Sequence, residues 1–276
     1  MNKNYFSDKV VLITGGASGI GRELCFQLGH KGAKVIVADI NTELSSDLID
    51  RLKDHKINSG YHNLDVSNYE AFESLLKNIV QNHGSIDIVI NNAGVACAGE
   101  VRDLSIEKWR QVMKVNLEGV INGSVASYKE MCLQGYGQIV NIASMAGLTA
   151  FPISVPYGTS KFAVVGLTKS LRLEGKGLGI KVNTICPGYI DTPLLANTEI
   201  INADRDTFLS KIPFKLITVE KAVQIILKGV EKNKAQLIFP RYARVLNKLG
   251  HFFPGLLEWQ LSKSVKDFRA IRQLKN

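Results

Sequence analysis

Residues 9–22 read Lys9-Val10-Val11-Leu12-Ile13-Thr14-Gly15-Gly16-Ala17-Ser18-Gly19-Ile20-Gly21-Arg22, an apolar run that ends in a glycine-rich turn and passes into an amphipathic stretch. A run without polar alternation belongs to a strand buried on both faces. The glycines allow a tight turn and close approach of another group to the backbone. The N–H groups and positive end of the helix that follows can then receive a pyrophosphate. The same grammar recurs along the chain. Residues 9–14, 34–39, 60–65, 86–91, 138–144, 180–185 and 236–239 read as strands, and 20–29, 42–54, 68–82, 105–134, 157–174 and 218–231 as helices. Such alternation implies right-handed βαβ crossovers and a doubly wound α/β architecture, a parallel sheet with helices on both faces. No Pro/Gly/Ser-rich linker interrupts residues 8–240, so the pattern predicts one domain over 1–240 and an extension over 241–276.

Composition agrees with a folded domain. The 276 residues are 45% hydrophobic and 21% charged, with 24 Gly and 7 Pro, which excludes intrinsic disorder and collagen-like or low-complexity arrays. Cys25, Cys97, Cys132 and Cys186 form no C-x-x-C pair and the five histidines show no ligand spacing, so no metal site is expected. A reducing, cytoplasmic compartment fits these cysteines and an N-terminus without a signal-peptide pattern. Of the net charge of +9, the stretch from Pro240 to Asn276 carries +6, including Lys275. A nucleic-acid binder spreads its charge over a face of the fold, so no nucleic-acid partner is expected.

Asp39 ends the second strand 18 residues after Gly21, where a dinucleotide fold offers a carboxylate to the adenosine ribose. It can accept from a 2′-hydroxyl and repels a 2′-phosphate, and neither Ser18 nor Ile40 supplies a cation, which favours NAD(H) over NADP(H). Arg22 is the one base nearby that keeps the second cofactor open. Tyr157 and Lys161, four positions apart, share one helix face. Ser144 ends the fifth strand, Asn91-Asn92-Ala93-Gly94 the fourth, and Pro187-Gly188-Tyr189-Ile190-Asp191-Thr192-Pro193 follows the sixth. Ligands of parallel sheets collect beyond these carboxyl ends.

With T-G-x-x-x-G-x-G at 14–21, Asp65, N-N-A-G at 91–94, Asn116, Ser144, Y-x-x-x-K at 157–161 and P-G-x-x-x-T-P at 187–193, residues 8–240 resemble the short-chain dehydrogenase/reductase family. The resemblance implies a Rossmann-type sheet in the order 3-2-1-4-5-6-7, a nicotinamide cofactor, and hydride transfer between an alcohol and a carbonyl. By that resemblance Tyr157 is the general acid/base, Ser144 holds the substrate oxygen, Lys161 also binds the nicotinamide ribose, and Asn116 holds a relay water. Gly15, Ser18, Gly19, Ile20 and Gly21 belong to the phosphate turn and Asp65 and Val66 to the adenine site. Asn91, Ala93 and Gly94 line the cofactor groove, Ile190 and Thr192 contact the carboxamide, and Pro187 and Gly188 belong to the cofactor site. A free phenol titrates near pH 10, too high for a base at neutral pH. An ammonium about 5 Å away at an effective dielectric near 20 is worth roughly 3 kcal/mol, which predicts a Tyr157 lowered by roughly two units.

Residues 193–215 form the segment that closes over substrate in this family. Leu194, Leu195, Ile200, Ile201, Phe208, Leu209, Ile212 and Phe214 make it apolar. With Met145, Phe151 and Tyr189 they either face an apolar secondary alcohol or ketone, steroid-, retinoid- or acyl-like, or simply pack the segment. In the extension, Leu257, Leu261, Val265, Phe268 and Ile271 fall within about 120° on a helix, with Lys263 and Lys266 opposite. That stripe packs on the domain or a partner subunit, or lies on an anionic membrane. The family forms homodimers and homotetramers, and a bulky tail bears on which. Two other readings stay open: an NADPH-dependent 3-oxoacyl-type reductase, and a catalytically idle dinucleotide-binding sensor or scaffold.

Overall fold

Every residue of β1 (Val10–Thr14) is buried, and alternate residues go to different places. Val11 and Ile13 enter one apolar cluster, Val10 and Leu12 another, one on each face of the sheet. This is why the strands carry no polar alternation. In a computed structural model describing residues 4–272, the further strands are β2 (Lys34–Asp39), β3 (Ser59–Asn63), β4 (Ile88–Asn91), β5 (Cys97–Ala98), β6 (Gly137–Ile142), β7 (Ile180–Pro187), β8 (Glu199–Ile200) and β9 (Gln236–Phe239). Residues 1–3 and 273–276, and with them Lys275 of the basic tail, lie outside the described residues. The large sheet runs β3-β2-β1-β4-β6-β7-β9, all parallel, which is 3-2-1-4-5-6-7 when its own strands alone are counted. β5 and β8 form a separate two-stranded ribbon.

The helices are α1 (Gly19–His30), α2 (Thr42–Asp54), α3 (Tyr69–His83), α4 (Ile106–Met113), α5 (Gly119–Gln134), α6 (Val155–Glu174), α7 (Pro193–Ala196), α8 (Arg205–Ser210), α9 (Val219–Glu231), α10 (Arg241–Phe252) and α11 (Pro254–Ile271). Leu24 and Leu28 of α1, Leu48 and Leu52 of α2 and Ile226 of α9 fill the cluster on one face. Phe72 and Leu76 of α3 and Met131 of α5 fill the other, and Val164 and Val165 of α6 pack beside them. Side-chain caps start several of these helices: Asn41, Asn68 and Thr218 accept from the backbone N–H three residues on.

Several boundaries differ from the sequence reading, among them the end of β7, which runs on to Pro187. The strand expected over 60–65 stops at Asn63 and the one expected over 138–144 stops at Ile142, so Asp65 and Ser144 sit in the loops just beyond. The single helix expected over 105–134 is divided by a π-helical turn, Lys114–Glu118, that contains Asn116. A π turn widens the ladder by one residue and often marks a functional position. The extension forms two helices rather than one. On α11, Leu257 and Phe268 are buried while Lys263 and Lys266 are exposed, so the apolar stripe packs on the chain's own domain. Phe268 joins Ala98, Ile153 and Phe208, and Arg269 and Arg272 pair with Glu100 and Asp103 at 2.8 and 2.6 Å.

Candidate active site

Gly15 has φ +61°, and a Cβ there would stand 2.7 Å from Ala93 Cα. At Gly21 a Cβ would stand 2.1 Å from the Gly15 carbonyl. Only glycine permits both, and the result is a backbone cradle at the start of α1, with the helix N–H groups aimed into it. The adjoining groove is lined by Gly15, Ser18, Gly19, Ile20, Asp39, Asp65, Val66, Ala93 and Gly94, among others. A shape open to backbone donors at one end and to a carboxylate at the other suits a dinucleotide. Gly21 lies behind this lining and serves it by letting α1 close on the turn.

The Asp39 carboxylate is fixed by two backbone donors, Ala17 N–H at 3.0 Å and Asn41 N–H at 2.9 Å. Arg22 turns away from it and pairs with Asp47 of α2 at 3.2 Å. The Asp65 carboxylate accepts from the Ser67 hydroxyl and N–H, which hold it below the usual carboxylate range.

Asn91 departs from the expectation that it lines the groove. Its amide turns inward and donates to Asn141 at 2.8 Å and Ser124 at 3.3 Å, within a buried polar network under the sheet. The reason is strand parity: Asn91 is the last buried residue of β4, and the next residue faces the other way. Asn92 takes the lining position, donating to the Thr14 and Gly15 carbonyls at 3.0 Å each. The Thr14 hydroxyl in turn accepts from Asn92 N–H and Ala93 N–H. Sequence reading passed over Thr14 and Asn92, although both stand within the motifs it quoted.

A second cleft opens from the shared residues Ile20, Asn92, Gly94, Thr192 and Leu194. Ser144, Tyr157 and Lys161 converge in it. They arrive from two elements: Ser144 from the loop after β6, Tyr157 and Lys161 from successive turns of α6. The Ser144 hydroxyl accepts from Ala146 N–H at 3.2 Å and faces the Tyr157 phenol, whose titration it lowers. Lys161 Nζ lies 5.5 Å from the Tyr157 ring centre and donates to the Ile142 carbonyl at 2.9 Å. Asn116 clasps Val95, accepting its N–H at 2.8 Å and donating to its carbonyl at 2.9 Å. It also donates to Ser160, whose hydroxyl bonds the Tyr157 carbonyl.

The titration of the pair runs against the sequence-based argument. Burial raises the Tyr157 phenol above its ordinary value; the Ser144 hydroxyl offsets part of this and Cys186 adds to it. Burial also pushes Lys161 down to about 8. The predicted lowering of Tyr157 by Lys161 therefore does not hold in the protein alone. The ammonium faces the ring rather than replacing the water lost from the phenol oxygen.

Beyond Tyr157 the cleft is apolar. Met145, Phe151, Tyr189, Leu194, Leu195 and Phe208 are among its walls. Pro187, Gly188, Ile190 and Thr192 line its inner side. The extension reaches this cleft in two places. Phe268 of α11 meets Phe208 edge-on at 5.8 Å. The Tyr242 hydroxyl of α10 accepts from Tyr189 N–H at 2.7 Å, and Phe214 stacks on its ring at 4.1 Å. No periodicity in the tail marks Tyr242.

Among known proteins, the short chain dehydrogenase family profile matches residues 9–201. The chain is 34% identical to the 3-oxoacyl-acyl-carrier-protein reductase FabG of Thermotoga maritima, over 79% of this chain and 89% of that one. It is 37% identical to cyclohexanol dehydrogenase of an Acinetobacter species, over 71% and 78%. The probable oxidoreductase EphD of Mycobacterium tuberculosis is 34% identical over 84% of this chain, which spans 41% of that protein's length. Among solved structures, a variant of actinorhodin polyketide ketoreductase with NADPH superposes with a TM-score of 0.74 at 31% identity, covering 84% of this chain and 95% of that one.

Proposed function

The chain belongs to the short-chain dehydrogenase/reductase family, and from that membership we propose that it is an NAD(H)-dependent oxidoreductase of apolar secondary alcohols or ketones. The observation that carries the reading is the meeting of Ser144, Tyr157 and Lys161 in an apolar cleft that opens directly from the dinucleotide groove. A protein that only senses a cofactor has no use for that trio.

In this reading Gly15, Ser18, Gly19 and Ile20 receive the pyrophosphate, with Gly21 closing the turn behind them. Asp65 and Val66 hold the adenine, Ala93, Gly94 and Asn92 line the middle of the groove, and Pro187, Gly188, Ile190 and Thr192 flank the carboxamide. Asn91 supports the groove from beneath. When bound, the oxidised nicotinamide supplies the hydride acceptor and a positive charge that favours the Tyr157 phenolate. Tyr157 Oη takes the proton from the substrate hydroxyl, or returns it to the carbonyl oxygen. Ser144 Oγ holds that same oxygen, and Lys161 Nζ both steadies the phenolate and binds the ribose. Asn116, in the widened π turn, holds the water that passes the proton outward. The apolar walls around Phe151, Leu194 and Phe208 exclude water and select an apolar substrate.

The preference for NAD(H) rests on Asp39, whose carboxylate is held in place by two backbone donors, and on Arg22, which is engaged by Asp47 rather than free for a 2′-phosphate. Cyclohexanol dehydrogenase, a relative by name of an apolar secondary alcohol, agrees with the substrate class. The second reading, NADPH-dependent reduction of a 3-oxoacyl thioester, draws on the similarity to the acyl-carrier-protein reductase and to the NADPH-bound ketoreductase. Following nicotinamide absorbance with NAD⁺ and NADP⁺ against a panel of apolar secondary alcohols, and with NADH and NADPH against a 3-oxoacyl thioester, separates the two. We expect turnover of the alcohols with NAD⁺. Turnover confined to NADPH and the thioester would replace this reading by the second.

A further inference from the structure

Outside the site, the α10–α11 hairpin carries an unusual outer surface. At about 100° per residue, Arg241, Arg244, Val245, Lys248 and Phe252 fall within an arc of about 100° on α10, and all are exposed. On α11, Leu256, Trp259, Lys263 and Lys266 fall within about 80°, and all are likewise exposed. The opposite side of α11 is the stripe that packs on the domain, so this one faces solvent. Exposure peaks where the two helices join: Phe252 67%, Phe253 64%, Leu256 54% and Trp259 72%. Clustered exposure of this kind marks an interaction surface.

The charge on the hairpin is divided. At the far end of α11, Arg269 and Arg272 are neutralised by Glu100 and Asp103. Among the described residues, Arg241, Lys248, Lys263 and Lys266 enter no ion pair, and Glu258 and Asp267 are the carboxylates of the two helices. Aromatic and aliphatic side chains at the join, backed by unpaired cations along both helices, match the two layers of an anionic bilayer surface, acyl boundary and phosphate. Two copies of the chain meeting through this face would bring like charges together, which disfavours self-association.

We propose that the α10–α11 hairpin docks on anionic membrane lipid, with Phe252, Phe253, Leu256 and Trp259 entering the interface and the cations meeting lipid phosphates. A groove between α11 and the start of α6, walled by Phe162, Pro254, Leu257, Leu261 and Phe151, lies beside the join. Phe151 also lines the catalytic cleft, with its ring centre 6.2 Å from that of Tyr157. Phe151 is the one wall the groove and the cleft share, and across it an apolar substrate would pass from lipid to Tyr157. That path, unlike the docking, rests on the reading of the substrate as apolar.

The test is co-sedimentation of the full chain with vesicles of phosphatidylcholine alone or of an equal mixture with phosphatidylglycerol, with no substrate or cofactor present. Binding should require the anionic lipid and weaken with salt. Lys248→Ala and Lys263→Ala should each weaken it about fivefold, and Phe253→Ser with Trp259→Ser should abolish it with thermal unfolding unchanged. Sedimentation with neither vesicle, or equally with both, overturns the proposal. So does a solution mass that falls in the Phe253→Ser, Trp259→Ser variant while wild type ignores vesicles, since the face then belongs to a second copy. Because no turnover is read, failure here leaves the dehydrogenase reading intact, and failure of that reading leaves this result intact. For the path, the same double variant should lose turnover of a vesicle-borne alcohol and keep that of a water-soluble one; equal turnover of both overturns it.

Discussion

At the scale of single residues, the site depends on groups whose behaviour is set by burial as much as by partners. Asp39 is the simplest. A hydrogen bond to a charged group contributes about 1.5–3 kcal/mol, so Asp39→Asn, which keeps the shape and removes the charge, should reduce the preference for NAD⁺ over NADP⁺ by about tenfold or more, read as the ratio of kcat/KM values. An unchanged ratio would remove Asp39 from the account. Lys161 makes a prediction about stability. Its folded-state value is about 8 against 10.5 in the unfolded chain, so between those values the unfolded state binds more protons and stability rises with pH. The cost of burying the charge is fully present below about pH 8 and is lost as pH rises toward about 10.5. Lys161→Met removes that cost, so its stability advantage in urea unfolding should be largest near neutral pH and shrink through this window. Tyr157 carries the lesson of the site. Its spacing from Lys161 was legible in the sequence, but the sign of its shift was not, because a pairwise charge argument omits the water that burial takes away.

At the scale of elements, the strands and the glycine turn were legible because their signals are local and strong. An apolar run without alternation has one explanation, and the clusters on the two faces of β1 bear it out. What escaped was small or depended on contacts distant in sequence. The two-residue strands β5 and β8 have no periodicity to read. The π turn at Asn116 is a one-residue fault inside an otherwise helical pattern. Asn91 and Asn92 are neighbours with opposite directions, and only the strand's parity decides which of them faces the groove. The α11 helix was legible as an amphipathic stripe, yet its contact with Phe208 of α8 ties it to the wall of the cleft. Phe268 is nearly fully buried there. Phe268→Ala should therefore destabilise the protein by about 3 kcal/mol in denaturant unfolding and raise KM for an apolar substrate more than it lowers kcat. A variant with unaltered KM would separate α11 from substrate binding.

At the scale of the whole molecule, the parallel sheet gathers loops from six strand ends into two joined hollows, one suited to a dinucleotide and one apolar and carrying Ser144, Tyr157 and Lys161. The extension closes the apolar hollow from outside, through Tyr242 on the Tyr189 backbone and Phe268 on Phe208. Basic charge that the sequence located only as a terminal excess is thereby sorted into an end locked to Glu100 and Asp103 and an end left open to an anionic surface. The claim on which the catalytic reading turns is that Tyr157 moves the proton. The direct test is the Tyr157→Phe variant, with NAD⁺ binding read by fluorescence titration and turnover read by nicotinamide absorbance on the same preparation. The account predicts unchanged NAD⁺ affinity and turnover lower by about 10²–10⁴-fold. Turnover within a few-fold of wild type, with binding intact, would contradict it.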